Sequence, residues 1–263
     1  MLKTTTLNGG KLAYLDQGTG SVVVLVHGFP MDHTLWENQV RVLKGQYRVI
    51  APDLPGFGQS ELPHAVKLTI SGMADTLIEL LDALEITGPI TLAGLSMGGY
   101  VVMDFLRRYA DRVARLVLFD TRPNIDPPEG IQNRKKTAEL ALAEGVESIV
   151  EGMVPKLFSP VSLEQKPDLV AMMRQKMLAT RPETIAAASL AMAERVDSSE
   201  LLAGVTIPTL VVGGAHDLPS PPEVMRAMAN SMVDARFVLV PDAGHLTPLE
   251  QPEIVNDALL SFL

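Results

Sequence analysis

Apolar residues fall in short dense runs along the chain. The clearest are 21–26, 47–51, 90–93, 113–119, 209–212 and 236–240, most of them rich in β-branched residues. Most are continuously apolar rather than alternating, which is the pattern of strands buried on both faces of a parallel sheet. Between them apolar residues recur at helical spacing. In 70–84 the positions Ile70, Met73, Ala74, Leu77, Leu80, Leu81 and Leu84 share one helix face. Segments 97–109 and 222–232 predict further helices, and 252–262 a closing helix with Pro252 in its first turn. Alternating strand and helix signals define an α/β architecture with right-handed crossovers. At the start, 4–7 and 11–16 read as an antiparallel pair turned by Asn8, Gly9 and Gly10.

One stretch breaks this rhythm. Segment 121–203 carries no strand pattern; it opens with a Pro-rich link over 123–128 and continues rich in Ala, Glu, Lys and Met. It predicts a helical insertion after the strand ending near Phe119. The α/β core is then 1–120 together with 204–263.

Composition narrows the functional classes. A length of 263 residues with 47% hydrophobic and 20% charged residues suits a globular unit with a large core. Lys and Arg number 22 against 31 Asp and Glu, a net charge of −9, which excludes the basic footprint of a nucleic-acid binder. There is no cysteine, so disulfides, thiolate metal sites and a Cys nucleophile are all excluded. The first ten residues lack a signal-peptide run, and apolar runs such as 22–26 fall far short of the ~20 residues needed to cross a bilayer. The expectation is a cytoplasmic protein with no membrane partner.

The chemistry gathers at the ends of the strand runs. The run 90–93 leads into Gly94-Leu95-Ser96-Met97-Gly98 and then into a helix. A Gly-x-Ser-x-Gly turn between strand and helix places the serine Oγ clear of the sheet, and its glycines allow strand and helix to approach closely. Ser96 is therefore the candidate nucleophile, and the Met97 N–H, at the positive end of the helix, a candidate oxyanion donor. After the run 21–26 comes His27-Gly28-Phe29-Pro30, where the Phe29 N–H is the second candidate donor because Pro30 has none. His27 reads as a structural histidine bonding loop backbone.

His245, in the loop after the last strand, is the candidate base, since imidazole titrates near neutrality. Asp217, after the preceding strand, is the candidate acid that orients it. Asp120, at the end of the run 113–119, is its rival. His216 reads as a loop residue, and Asp53, in Asp53-Leu54-Pro55-Gly56-Phe57-Gly58, as a loop aspartate bonding backbone rather than part of a phosphate cradle. Asp32 reads as a helix cap. Within the insertion, Met153, Leu157, Phe158, Met172, Met173, Met177, Leu190 and Met192 predict an adaptable apolar pocket. Phe29, Met153, Leu157, Phe158 and Leu190 are the candidate substrate contacts, and Arg122 is a cation just past a strand tip.

Taken together, His27-Gly28, 53–60, 94–98, 214–217 and Gly244-His245 resemble the α/β-hydrolase superfamily, and the resemblance extends over nearly the whole chain. Within it the chain is most similar to small bacterial carboxylesterases and enol-lactonase-like hydrolases with a helical cap. The resemblance implies a three-layer fold, a mostly parallel eight-stranded sheet and a cap (121–203) inserted after strand six. It also implies no metal and no cofactor. The expected substrate is a small or medium apolar carboxylic ester or lactone, turned over by a monomer or homodimer. Relatives that act on alkyl halides or epoxides carry Asp at the nucleophile position, where this chain has Ser96. Carbon–carbon bond hydrolysis on the same triad and a hydrolase-like ligand receptor are the alternatives. Pro30 also raises use of peroxide as acyl acceptor.

Overall fold

The computed structural model describes residues 2–63 and 67–263. Its strands are β1 (Leu2–Leu7), β2 (Gly10–Gln17), β3 (Val22–Val26), β4 (Arg48–Pro52), β5 (Ile90–Leu95), β6 (Val113–Phe119), β7 (Thr209–Gly214) and β8 (Ala235–Val240). They form one eight-stranded sheet in the order β1-β2-β4-β3-β5-β6-β7-β8. The pairs β1/β2 and β2/β4 are antiparallel and all others parallel, as the opening hairpin and the later apolar runs predict.

Successive residues of each buried strand serve opposite faces of the sheet. Val24, Val26, Leu92, Leu116 and Val211 pack with α2 (Ile70–Ala83), α3 (Met97–Arg108) and α10 (Pro222–Asn230). Val23, Leu25, Ala93, Val117 and Leu210 pack on the other side with α1 (Glu37–Leu43) and α12 (Pro252–Phe262). Both faces are covered, which is why these strands carry no polar alternation. Trp36, Phe105 and Phe119 are fully buried in these layers.

Between β6 and β7 every described element is a helix: α4 (Pro128–Glu144), α5 (Glu147–Leu157), α6 (Pro160–Gln165), α7 (Pro167–Leu178), α8 (Pro182–Ala193) and α9 (Ser199–Ala203). Proline opens α4, α6, α7 and α8 within the first two positions, where its missing N–H is no loss. The segment is tied down on both sides of the sheet. Ala188, Ala191 and Met192 of α8 join the core layer of α2 and α3. Val150, Val154, Leu157, Met173 and Met177 of α5 and α7 join the layer of α1 and α12. Its entry and exit meet at Asp126, buried between Arg134, Arg122 and Arg195, with Arg195 Nη1 donating at 2.8 Å. Burial opposes the charge on Asp126, but the guanidinium groups outweigh it and hold the carboxyl well below the usual range. No helix among the described residues is long and apolar enough to cross a membrane.

The strand order reverses at β3: one crossover leads outward to β4, the next returns past β3 to β5. In open α/β sheets such a reversal leaves a crevice at the carboxyl ends of the two strands. Val26 of β3 pairs with Gly94 of β5, so the loops after both strands emerge side by side. A Cβ on Gly98 would lie 2.3 Å from the Val26 carbonyl oxygen and 2.6 Å from that of His27. Gly98→Ala is expected to cost about 3 kcal/mol or more, a fall in Tm of roughly 6–12 °C by thermal denaturation. An unchanged Tm would show that α3 can move off β3.

Candidate active site

Ser96 links β5 to α3 with φ 54° and ψ −113°, a left-handed conformation uncommon for a residue with a side chain. Three hydrogen bonds hold it there. Its N–H donates to Phe119 O (3.0 Å), and its carbonyl accepts from Thr121 Oγ1 (2.9 Å) and Tyr100 N (3.2 Å). Gly94 permits the turn, because a Cβ there would lie 2.3 Å from the Gly98 carbonyl oxygen. The side chain bonds to no N–H of α3, so the hydroxyl is not consumed as a helix cap. Met97 opens α3, where backbone N–H groups have no helical partner.

The loop after β3 packs on this elbow: a Cβ on Gly28 would lie 3.3 Å from that of Ser96. His27 is fully buried and fixes the loop. Its Nε2 accepts from Leu54 N (2.9 Å), so Nδ1 carries the proton and donates to Gly28 O (2.8 Å). Burial lowers the His27 pKa, in keeping with a neutral ring. Gly28 O also accepts from Met31 N (3.0 Å). A planar peptide whose carbonyl is anchored has its N–H pointing the opposite way, so the direction of the Phe29 N–H is set by His27 and Met31.

His245 and Asp217 are brought together. Both are buried, at 3% exposure each. His245 Nδ1 donates to Asp217 Oδ1 and Oδ2, both at 2.9 Å, and Asp217 Oδ1 also accepts from Ser220 N (2.8 Å). This commits Nδ1 and leaves Nε2 for another proton. Burial disfavours imidazolium, but the Asp217 carboxylate outweighs it, and the His245 pKa is raised. Asp120 is also fully buried, with different partners. It accepts from Gly214 N (3.0 Å), Thr247 N (3.3 Å) and Thr247 Oγ1 (2.6 Å), linking the ends of β6 and β7 to the loop after β8. Burial first, and repulsion from Asp217 second, raise its pKa well above the carboxylate range.

The expected substrate contacts separate into two groups. Phe29, Met153 and Leu190 are half-buried and gather on one apolar cluster with Ile185 and Ala186. Leu157 and Phe158 are only 3% and 2% exposed and pack in the layer of α1 and α12, so their side chains offer little surface to a ligand. The methionines do not form one wall. Met173 and Met177 lie in that same layer, Met192 in the opposite one, and Met172 is 43% exposed.

Asp32, His33 and Asp53 place potential metal-binding atoms within 4.8 Å of one another. They are already engaged. Asp53 accepts from His33 N (2.8 Å) and Gln59 N (2.9 Å) and meets His33 Nδ1 at 2.7 Å, while Asp32 accepts from Thr34 N (2.9 Å) as the cap of the next helical turn. The group is a loop brace, as expected for Asp53 and Asp32.

Glu250 is a feature that sequence reasoning missed. It is fully buried in α11 (Thr247–Glu250). Its Oε1 accepts from Gly244 N (2.8 Å) and Leu246 N (3.2 Å), and its Oε2 from Ser159 N (2.8 Å). The available signal was an acidic residue five positions after His245 and two before the helix-opening Pro252.

An elbow serine, a buried Asp–His pair and two backbone N–H groups at the carboxyl edge of a mostly parallel sheet define a hydrolase-type site. A sequence profile of the Alpha/beta hydrolase family matches residues 23–258, and the chain belongs to that family. It is 45% identical to a thermophilic esterase from Thermogutta terrifontis, solved with malate bound, with a TM-score of 0.94 over 99% of this chain and 97% of that one. It is 30% identical to the enol-lactonase from Burkholderia xenovorans LB400, with a TM-score of 0.90 over 99% of each chain. Among curated proteins it is 29% identical to 3-oxoadipate enol-lactonase 1 of Acinetobacter baylyi, over 88% of this chain and 84% of that protein.

Proposed function

We propose that the protein is a serine hydrolase that cleaves a small or medium apolar carboxylic ester or lactone through an acyl-enzyme. The observation that carries this reading is the strained Ser96 turn at the same carboxyl edge of the sheet as the buried Asp217–His245 pair. In the first step His245 Nε2 takes the Ser96 proton as Oγ attacks the carbonyl carbon. The tetrahedral oxyanion is held by the N–H groups of Phe29 and Met97, the first aimed by the anchored Gly28 carbonyl. His245 then protonates the leaving alkoxide, and the C–O bond to the alcohol breaks. Water, deprotonated by His245, attacks the acyl-enzyme and releases the acid. Asp217 holds the imidazole in the Nδ1–H tautomer throughout and offsets its positive charge.

In this reading helices α4–α9 act as a cap, and Phe29, Met153 and Leu190 bound the apolar part of the substrate. The Thermogutta and Burkholderia relatives, an esterase and an enol-lactonase, support ester and lactone chemistry as the class.

A panel of p-nitrophenyl esters of graded acyl length, with a pH profile on the best of them, tests the reading. Hydrolysis is expected to be fastest with short to medium acyl groups. Because the base acts neutral and its pKa is raised, kcat/KM should climb with pH through a midpoint above the ~6.5 of free imidazole. No turnover above background, or a rate that does not climb with pH as a neutral base requires, would contradict it.

A further inference from the structure

The mechanism above makes no use of Glu250. Its carboxylate is removed from water and, among the described residues, has no basic side chain as a hydrogen-bond partner, an arrangement that costs several kcal/mol unless backbone donors satisfy it. Three N–H groups do so, and their identity is informative. Gly244 and Leu246 are the two residues that flank His245, and the His245 N–H itself donates to Leu157 O (2.8 Å). The N–H groups of three consecutive residues around the imidazole are therefore all engaged. The third donor, Ser159 N, lies in the turn between α5 and α6, and Leu157 ends α5.

That turn and the histidine loop are joined at further points. Ser159 Oγ donates to Asp242 O (2.8 Å), and Lys166 Nζ donates to the Glu250 carbonyl. Gly244 fits closely beneath the turn, since a Cβ there would lie 2.7 Å from Ser159 N and 2.8 Å from Leu157 O. One carboxylate is thus the shared partner of the loop that carries His245 and of the helical segment between β6 and β7.

We infer that Glu250 is a positioning residue: its buried carboxylate holds the His245 imidazole in register and makes the placement of the base depend on the α5–α6 turn. The inference rests on the serine-hydrolase reading. A base displaced by a fraction of an ångström loses rate in the chemical step and leaves substrate binding intact. The carboxylate also lends negative potential to His245 beside Asp217, whereas Asp120 is pushed toward its neutral form and the Lys166 ammonium donates to the backbone carbonyl of Glu250.

The test uses Glu250→Gln and Glu250→Asp with ester kinetics, a pH profile and the rate of labelling by a fluorophosphonate. Gln keeps the size but loses the charge and presents an amide NH2 to backbone donors. For it, kcat should fall by about 100-fold with KM within about threefold. The acid limb of kcat/KM should move to lower pH, because loss of a neighbouring anion disfavours imidazolium. A fold-stabilising role alone would leave that limb in place. Asp keeps the charge but is one methylene short, so kcat should fall while the acid limb stays near the wild-type position. A folded Gln variant with kcat within threefold of wild type and an unmoved acid limb overturns the inference. Should Gln not fold, an Asp variant with undiminished kcat overturns it equally. Wild-type protein that neither labels nor hydrolyses esters would instead refute the hydrolase reading itself.

Discussion

Replacing Ser96 with Ala is expected to lower kcat/KM on the best ester by about 10⁴-fold or more while leaving stability within about 0.5 kcal/mol of wild type. The two halves of this expectation have separate origins. The left-handed backbone at Ser96 is imposed by the Phe119, Thr121 and Tyr100 hydrogen bonds, all made by its main chain, and alanine keeps them. The hydroxyl caps no helix N–H, so its loss removes no structural bond of α3. The nucleophile alone is lost. What survives is water attack on an ester still polarised by two backbone donors, which accounts for a residual rate rather than none. Thermal denaturation and steady-state kinetics on the same preparation read both halves. Activity within tenfold of wild type would remove Ser96 from the reaction.

The second large effect separates the two candidate acids. Asp217→Asn should lower kcat by about 10³–10⁴-fold, because an amide in that place donates toward Nδ1 and favours the tautomer in which Nε2 carries the proton. A base that begins protonated at Nε2 cannot accept from Ser96. Asp120→Asn should lower kcat by no more than about tenfold. Burial and Asp217 push Asp120 toward its neutral form, which an amide imitates, and its acceptors face Gly214 and Thr247 rather than the imidazole. Equal losses for the two variants would mean that the aspartates act as one unit. The reverse order would make Asp120 the acid.

The strands were legible because a two-sided sheet demands unbroken apolar runs, and 113–119 and 252–262 correspond to β6 and α12 residue for residue. The Ser96 turn was legible because its constraint is local: strand, glycine, serine, glycine and helix are contiguous. Asp217 was preferred to Asp120 from its place just upstream of the histidine loop, but both follow parallel strands, and the folded loop after β8 is what brings Asp217 to Nδ1. Leu157 and Phe158 illustrate a second limit. Apolar residues in a helical insertion look alike whether they face a ligand or a neighbouring layer, and these two turn inward while the Leu157 carbonyl accepts from the His245 N–H. Glu250 illustrates a third. A glutamate before a helix-opening proline reads as solvent-facing, and three backbone donors distant in sequence or hidden in a loop are what make its burial tolerable.

The covalent step is the centre of the account, and it can be observed directly by peptide mass spectrometry after reaction with a fluorophosphonate. One adduct per chain is expected on the peptide that contains Ser96, absent from Ser96→Ala and formed far more slowly by Asp217→Asn. Esterase activity that persists while Ser96 stays unmodified, or an adduct carried by another residue, would contradict it.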